Sequence, residues 1–198
     1  LDSGSTDATL EICKDFGITV SYHPFTNHPK QWHAALQTFT IATPWVIGLD
    51  ADQIVSPQLF EKLSKFKDAD YTGTDGIYFN RKNYFKGQWL RYGGYYPRYL
   101  LKMFRYGVGY SDLNENMDHR FIVPGKTIVW KDGFLIEENL KENRISFWIS
   151  KHNRYSDLVA EEEYERRNDM RKQTISPKFF GSPDEKIAWL KNVWWRLP

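Results

Sequence analysis

The sequence predicts an α/β fold, a mixed sheet flanked by helices with an antiparallel extension and helices at the carboxyl end. Up to Asp50, β-branched strand-like runs alternate with segments of helical spacing, the pattern of a sheet with crossover helices. From Gly76 the apolar period changes to two, with Ile77 and Phe79 on one side and Tyr78 and Asn80 on the other. Beyond Arg144 the apolar residues return to helical spacing.

The 198 residues suit one domain with a sizeable core; 41% hydrophobic and 26% charged are ordinary for a globular protein, whereas 17% aromatic is high. No apolar run approaches the ~18 residues of a membrane span and no signal peptide opens the chain, so a cytoplasmic location is expected. The single cysteine, Cys13, excludes an internal disulfide and a Cys-based metal cluster, and reads as a core filler. Opening at Leu1 inside a motif and stopping at Trp194-Trp195-Arg196-Leu197-Pro198, the sequence reads as a fragment.

Asp2-Ser3-Gly4-Ser5-Thr6-Asp7 is the tail of a strand turning into a helix, with Gly4 for the turn and Ser5, Thr6 or Asp7 as cap. That helix runs to about Phe16 and stops at Gly17. Ile18–Tyr22 has strand composition, and 30–43 carries Trp32, Ala35, Leu36, Phe39 and Ile41 near helical spacing. Trp45–Leu49 is a short buried strand between Pro44 and the Ser56-Pro57 helix start, and that helix extends to about Phe66. At its carboxyl end the strand runs into Asp50-Ala51-Asp52. Ligands bind beyond such strand ends, and two carboxylates there can hold a hard divalent cation that in turn holds a diphosphate. The bland alternative is an Asx-type turn leading to the Ser56 cap.

The motifs Asp2-Ser3-Gly4-Ser5-Thr6-Asp7 and Asp50-Ala51-Asp52, in this order and spacing, resemble those of the family 2 glycosyltransferases with the GT-A fold. The resemblance implies a GT-A-like (Rossmann-like) sheet, a nucleotide-sugar donor and a divalent cation, manganese or magnesium. It implies that Asp2 and Ser3 meet the nucleotide base or ribose, that Asp50 meets the ribose and nearby phosphate, and that Asp52, with Asp50, holds the metal. Lys30 and Gln31 occupy the place where the family carries polar or basic residues ahead of the second motif. Gln53 departs from the Glu of many members.

The segment 81–106 is rich in Arg and Lys, has no acidic residue and is interleaved with aromatics. It fits single-stranded nucleic acid, an anionic membrane surface, a sugar on a phosphate-bearing lipid, or two plain strands with aromatic core faces and solvated basic faces. Gly93-Gly94-Tyr95-Tyr96-Pro97 is a turn whose likeness to acceptor-side segments of the family favours a saccharide or lipid-linked acceptor and no nucleic acid.

Leu113 to Arg120 reads as a polar loop, followed by a hairpin of Phe121-Ile122-Val123 and Thr127–Trp130 about Pro124-Gly125. Sugar transfer by single displacement needs a base for the acceptor hydroxyl; Asp118 is the first candidate, Glu115 the second and His119 the third. A helix over 146–169 carries an apolar stripe of Ile145, Trp148, Ile149, Tyr155, Leu158 and Val159. His152 falls on that stripe, either as a packed core histidine or as a cleft residue and further metal ligand. Lys151 and Tyr155 resemble a Lys-x-x-x-Tyr segment of related bacterial surface-polysaccharide transferases, near the phosphates. Ser182-Pro183-Asp184-Glu185 is a capping box opening a helix with Ile187, Leu190 and Trp194 on one face. Its tryptophans suit peripheral contact with the inner face of the cell membrane, or packing against another part of the protein.

The resemblance implies a glycosyltransferase core over residues 1–140 with a helical extension of the same domain over 141–198. It implies sugar transfer, with inversion, to a saccharide or lipid-linked acceptor in bacterial surface-polysaccharide synthesis. The rival readings are a sugar nucleotidyltransferase, which also needs a metal on nucleotide phosphate, and a non-enzymatic binding module using the 81–106 surface.

Overall fold

Gly76–Phe85 (β3) is the central strand because its alternation lets both faces be covered. Ile77 and Phe79 pack with Trp45, Leu59, Met103, Trp130 and Leu135 on one face. Tyr78 packs with Leu101, Phe104 and Phe121 on the other. The computed structural model describes residues 1–116, 119–168, 170–195 and 197.

Around β3 lie strands β1 (Trp45–Ile47), β2 (Gln53–Val55), β4 (Gln88–Trp89), β5 (Arg98–Arg105) and β8 (Thr127–Glu137), in the order β1-β5-β3-β8-β2 with β4 beside β3. β3 and β8 are parallel; β5 is antiparallel to β1 and β3, and β2 is antiparallel to β8. The sheet is mixed, as expected. Helix α2 (His28–Thr38) covers the Tyr78 face through Trp32 and Leu36, and α3 (Pro57–Ser64) covers the Phe79 face through Leu59 and Leu63. Short α1 (Thr9–Asp15) ends at Phe16 beside Gly17, where the sequence places its stop.

Two expectations about strands are corrected. The strand over Ile18–Tyr22 is reduced to one parallel bridge, Asp2 with Tyr22: the Asp2 N–H donates to the Ser21 carbonyl at 2.9 Å, and the Asp2 carbonyl accepts from His23 N–H at 2.8 Å. The hairpin about Pro124-Gly125 does not form. β7 (Phe121–Ile122) pairs instead with β6 (Tyr110–Ser111), and Thr127–Trp130 joins β3 in parallel register with Gly76–Phe79. Phe121, fully buried against Phe104 and Trp32, pulls the segment away from β8.

A bulge in β8 sets the site. The register with β3 jumps from Phe79↔Trp130 to Asn80↔Phe134, looping out residues 131–133. Gly133 turns there with φ +76°, and a Cβ on it would sit 2.6 Å from the Leu59 backbone nitrogen. Beyond the bulge, the buried Ser56 hydroxyl accepts from Leu59 N–H at 3.3 Å and Phe134 N–H at 3.0 Å, tying the start of α3 to β8. Glu137 is thereby brought opposite Gln53.

Helix α4 (Ile145–Arg167) follows the expected bounds closely, but Ile145 and Ile149 of its stripe are exposed. Helix α5 (Pro183–Trp194) has the expected capping box. Its inward face is rotated from the expected one: Ala188 is buried while Leu190 and Trp194 are exposed. The Tyr78 hydroxyl donates to Asp184 at 2.9 Å, and this anchor fixes which side of α5 meets the sheet.

Candidate functional site

Only glycine fits at position 48, just past β1, because Phe121 fills the space a side chain would need: a Cβ there would lie 2.5 Å from its ring. Gly48 N–H still donates to the Lys102 carbonyl at 2.8 Å, so the chain leaves the sheet in a fixed direction. A turn follows, closed by Gln53 N–H donating to the Asp50 carbonyl at 3.0 Å. Asp50, Ala51 and Asp52 project from it into a cleft of about 760 Å³. Gln31 and Trp32 of α2, Arg81 of β3, His119, Glu137 of β8, and Lys151 and Tyr155 of α4 complete its walls.

Asp50 is matched inside the protein. Its Oδ2 accepts from Lys102 Nζ at 2.7 Å, and His119 Nε2 stands 3.8 Å from Oδ1. Burial alone would raise this carboxyl, but Lys102 and His119 outweigh it and hold it below the ordinary range. Asp52 is in the opposite condition. Burial, then the neighbouring Glu137 and Asp50 charges, push its carboxyl up, and among the described residues no side chain donates a hydrogen bond to it. Glu137 accepts from Arg81 Nη1 at 3.0 and 3.1 Å and from Gln53 Nε2 at 2.9 Å.

On the opposite wall, the Ser3 hydroxyl accepts from Gln31 Nε2 at 2.8 Å, and Gln31 Oε1 meets His23 Nδ1 at 2.9 Å. Asp2 spends its carboxylate on the turn, accepting from Gly4 N–H at 2.8 Å and Ser5 N–H at 3.0 Å as well as from the Ser5 hydroxyl. Those bonds, the Ser5 hydroxyl first, hold its carboxyl low. Lys151 is paired with Glu142, and its ammonium lies 5.2 Å from the Tyr155 ring centroid. Burial would lower the Lys151 pKa, yet Glu142 and Tyr155 raise it, so Lys151 stays protonated in its pair with Glu142 and its charge lowers the Asp52 carboxyl from a distance.

Residues 1–124 match the family described as glycosyl transferase family 2. The chain belongs to that family. Among curated proteins none matches it. The glycosyltransferase thus binds a nucleotide-sugar donor and an acceptor, and its mixed sheet is consistent with a GT-A-like fold.

Of the residues singled out in the sequence, Asp50, Asp52, Gln31 and His119 line the cleft of the glycosyltransferase, with Ser3 bonded to Gln31. Lys30 does not line it; it is exposed on the first turn of α2, where its N–H donates to Asn27 Oδ1 at 3.0 Å. His152 does not line it either, being stacked on Trp148 at 4.0 Å with Nδ1 2.9 Å from the Trp148 carbonyl oxygen. Its helical neighbours Lys151 and Tyr155 do. Glu115 lies in a separate cavity beside α4 and α5, paired with Arg120 at 2.8 Å, its carboxyl raised by burial against that partner. Asp118 lies outside the described residues. Among the described residues no group of three or more His, Cys, Asp or Glu is arranged to hold a metal ion.

The basic run 81–106 is largely consumed within the fold. Arg81 meets Glu137, Lys102 meets Asp50, Arg105 meets Asp68 at 2.8 Å, and Lys82 and Arg91 lie over Trp89 at 4.3 and 4.5 Å. Lys102, Arg81 and Glu137 are the site residues that sequence reasoning did not single out individually. For Lys102 a signal existed: it interrupts the apolar run Leu100-Leu101-Lys102-Met103-Phe104, and an ionisable residue inside a strand needs a buried partner.

Proposed function

We propose that this glycosyltransferase moves a sugar from a nucleotide diphosphate donor to a saccharide or lipid-linked acceptor, with inversion and with a divalent cation, in bacterial surface-polysaccharide synthesis. One observation carries the reading: Asp52 lines the cleft beside Asp50 with a raised carboxyl and no donor side chain among the described residues, and Lys151 lines the same cleft. The Asp52 carboxylate, with Asp50 beside it, would hold a hard cation such as manganese or magnesium. Bound there, the cation would offset the charge building on the leaving diphosphate.

The chain's own residues do the remaining work. Asp50, held by Lys102 and His119, offers a fixed acceptor to a ribose hydroxyl, while Ser3, Gln31 and Asp2 frame the nucleoside side. Lys151 and Tyr155 meet the phosphates. The acceptor oxygen forms its bond to the anomeric carbon as the bond to the diphosphate oxygen breaks, and the acceptor proton passes to a carboxylate base. Asp118 is the proposed base; Glu115, tied to Arg120, is the second candidate.

In this reading residues 1–140 are the catalytic core, and residues 141–198 are a helical extension that closes the cleft with α4. The protein would work in the cytoplasm, peripheral to the inner face of the membrane. Support for that contact is the exposure of Trp194, Trp195 and Leu197; among the described residues no helix is long and apolar enough to cross a membrane. The test is manganese-dependent release of nucleoside diphosphate from a panel of nucleotide sugars. Asp52→Ala should abolish it, and unchanged turnover in that variant would remove the metal assignment.

A further inference from the structure

We propose that Gln53, Glu137 and Arg81 form a tether that positions the Asp50–Asp52 turn for the donor's diphosphate; this rests on the glycosyl-transfer reading above. Gln53 opens β2 and Glu137 closes β8, and the two are register partners across that pair. The Gln53 amide is used at both ends. Its Oε1 accepts from Asp50 N–H at 3.2 Å, and its Nε2 donates to Glu137 Oε2 at 2.9 Å. Glu137 is held in turn by Arg81 Nη1, at 3.0 and 3.1 Å from its two oxygens.

Only an amide satisfies both ends of this chain. A carboxylate at position 53 would set a like charge against Glu137, and an apolar side chain would leave Asp50 N–H and Glu137 each short of a partner. The turn is therefore pinned twice. Gln53 N–H closes it on the Asp50 carbonyl, and the Gln53 side chain closes it on the Asp50 N–H. Ala51 and Asp52 lie between those anchors. Arg81 also offsets the charge of Glu137, as Lys102 does that of Asp50, so Asp52 is the carboxylate of the three that faces the cleft without a cationic partner in contact. Gln53, Glu137 and Arg81 act through that turn as positioning residues.

An exchange of side chains tests the tether. Gln53→Glu sets two carboxylates against each other and breaks the link to Glu137, Glu137→Gln removes the charge that Arg81 grips and weakens it, and the two together rebuild it with the roles reversed. The carboxylate then at position 53 would accept from Asp50 N–H and from the amide then at position 137, whose oxygen would accept from Arg81. Two readouts are taken on the full chain: hydrogen exchange of the Asp50 amide without ligand, and manganese-dependent affinity for uridine, guanosine, cytidine and thymidine diphosphates. Each single change should speed exchange and weaken the best-bound nucleotide by about tenfold, and the double change should return both to within about threefold of the parent. Unchanged Asp50 exchange in the single variants, or a double variant no better than the worse single one, would overturn the tether. If the parent binds none of the nucleotides, the donor reading fails, and the exchange data still decide the tether. Should Glu137→Gln fail to fold alone, comparison of Gln53→Glu with the double variant decides the same question.

Discussion

Asp52 is a residue that the fold tolerates rather than uses. Its carboxyl is raised by burial and by Glu137 and Asp50, so the folded state holds its proton more tightly than the unfolded chain does. Ionised at neutral pH, it costs stability; below the unfolded value that cost vanishes. Asp52→Asn should therefore raise the stability at neutral pH, by on the order of 0.5 kcal/mol after solvent screening, while abolishing turnover. Denaturant melts beside donor-release assays check both halves. Asp50 has the reverse sign. Its lowered carboxyl contributes stability above the unfolded value, and this is lost as pH falls through the folded one. Removing its buried partner by Lys102→Met should cost about 3 kcal/mol at neutral pH. The deficit should shrink as the solution is acidified and Asp50 takes up a proton. Unfolding curves taken from about pH 7 down to about pH 3, through the carboxylate range, should show the two stabilities converging.

At the scale of elements, the local signals are legible in the sequence and the long-range ones are not. The Ser182 capping box, the Ser56-Pro57 helix start and the alternation of β3 depend on residues within one turn or one strand, and each forms where the sequence puts it. The partners of β7 and β8 depend on where Phe121 is buried, a contact with Phe104 and Trp32 that no short window contains. The Asp50–Asp52 motif is legible as chemistry because both acids lie at one strand end, whereas Glu137 reaches them only through the bulge at 131–133. That bulge gives a prediction of its own. Gly133→Ala places a side chain at φ +76° and against the Leu59 backbone, so unfolding should become easier by about 2–4 kcal/mol. Relief of the clash by displacement of α3 should also loosen Glu137, so donor affinity should fall with stability. A variant as stable as the parent in urea would contradict this role of the bulge.

Across the whole molecule, the family match covers residues 1–124, yet the cleft is completed by Lys151 and Tyr155 from α4. The segment beyond the match is thus part of the site's wall. Lys151 acts on Asp52 over a distance, opposing the rise in its carboxyl. Replacing it by Met removes a cation that lines the cleft and acts on Asp52. The KM for the donor should rise by about tenfold with a smaller change in kcat, the pattern of lost ground-state binding. The acid limb of donor binding should also move to higher pH, because Asp52 without Lys151 holds its proton more tightly. Lys151→Arg should restore most of both, since it keeps the charge. Measured as equilibrium donor binding, since Asp52→Asn abolishes turnover, the acid limb in that variant should no longer respond to Lys151→Met, because the carboxyl through which they communicate is gone. A shift that persists in the double variant would mean that Lys151 acts on the donor alone.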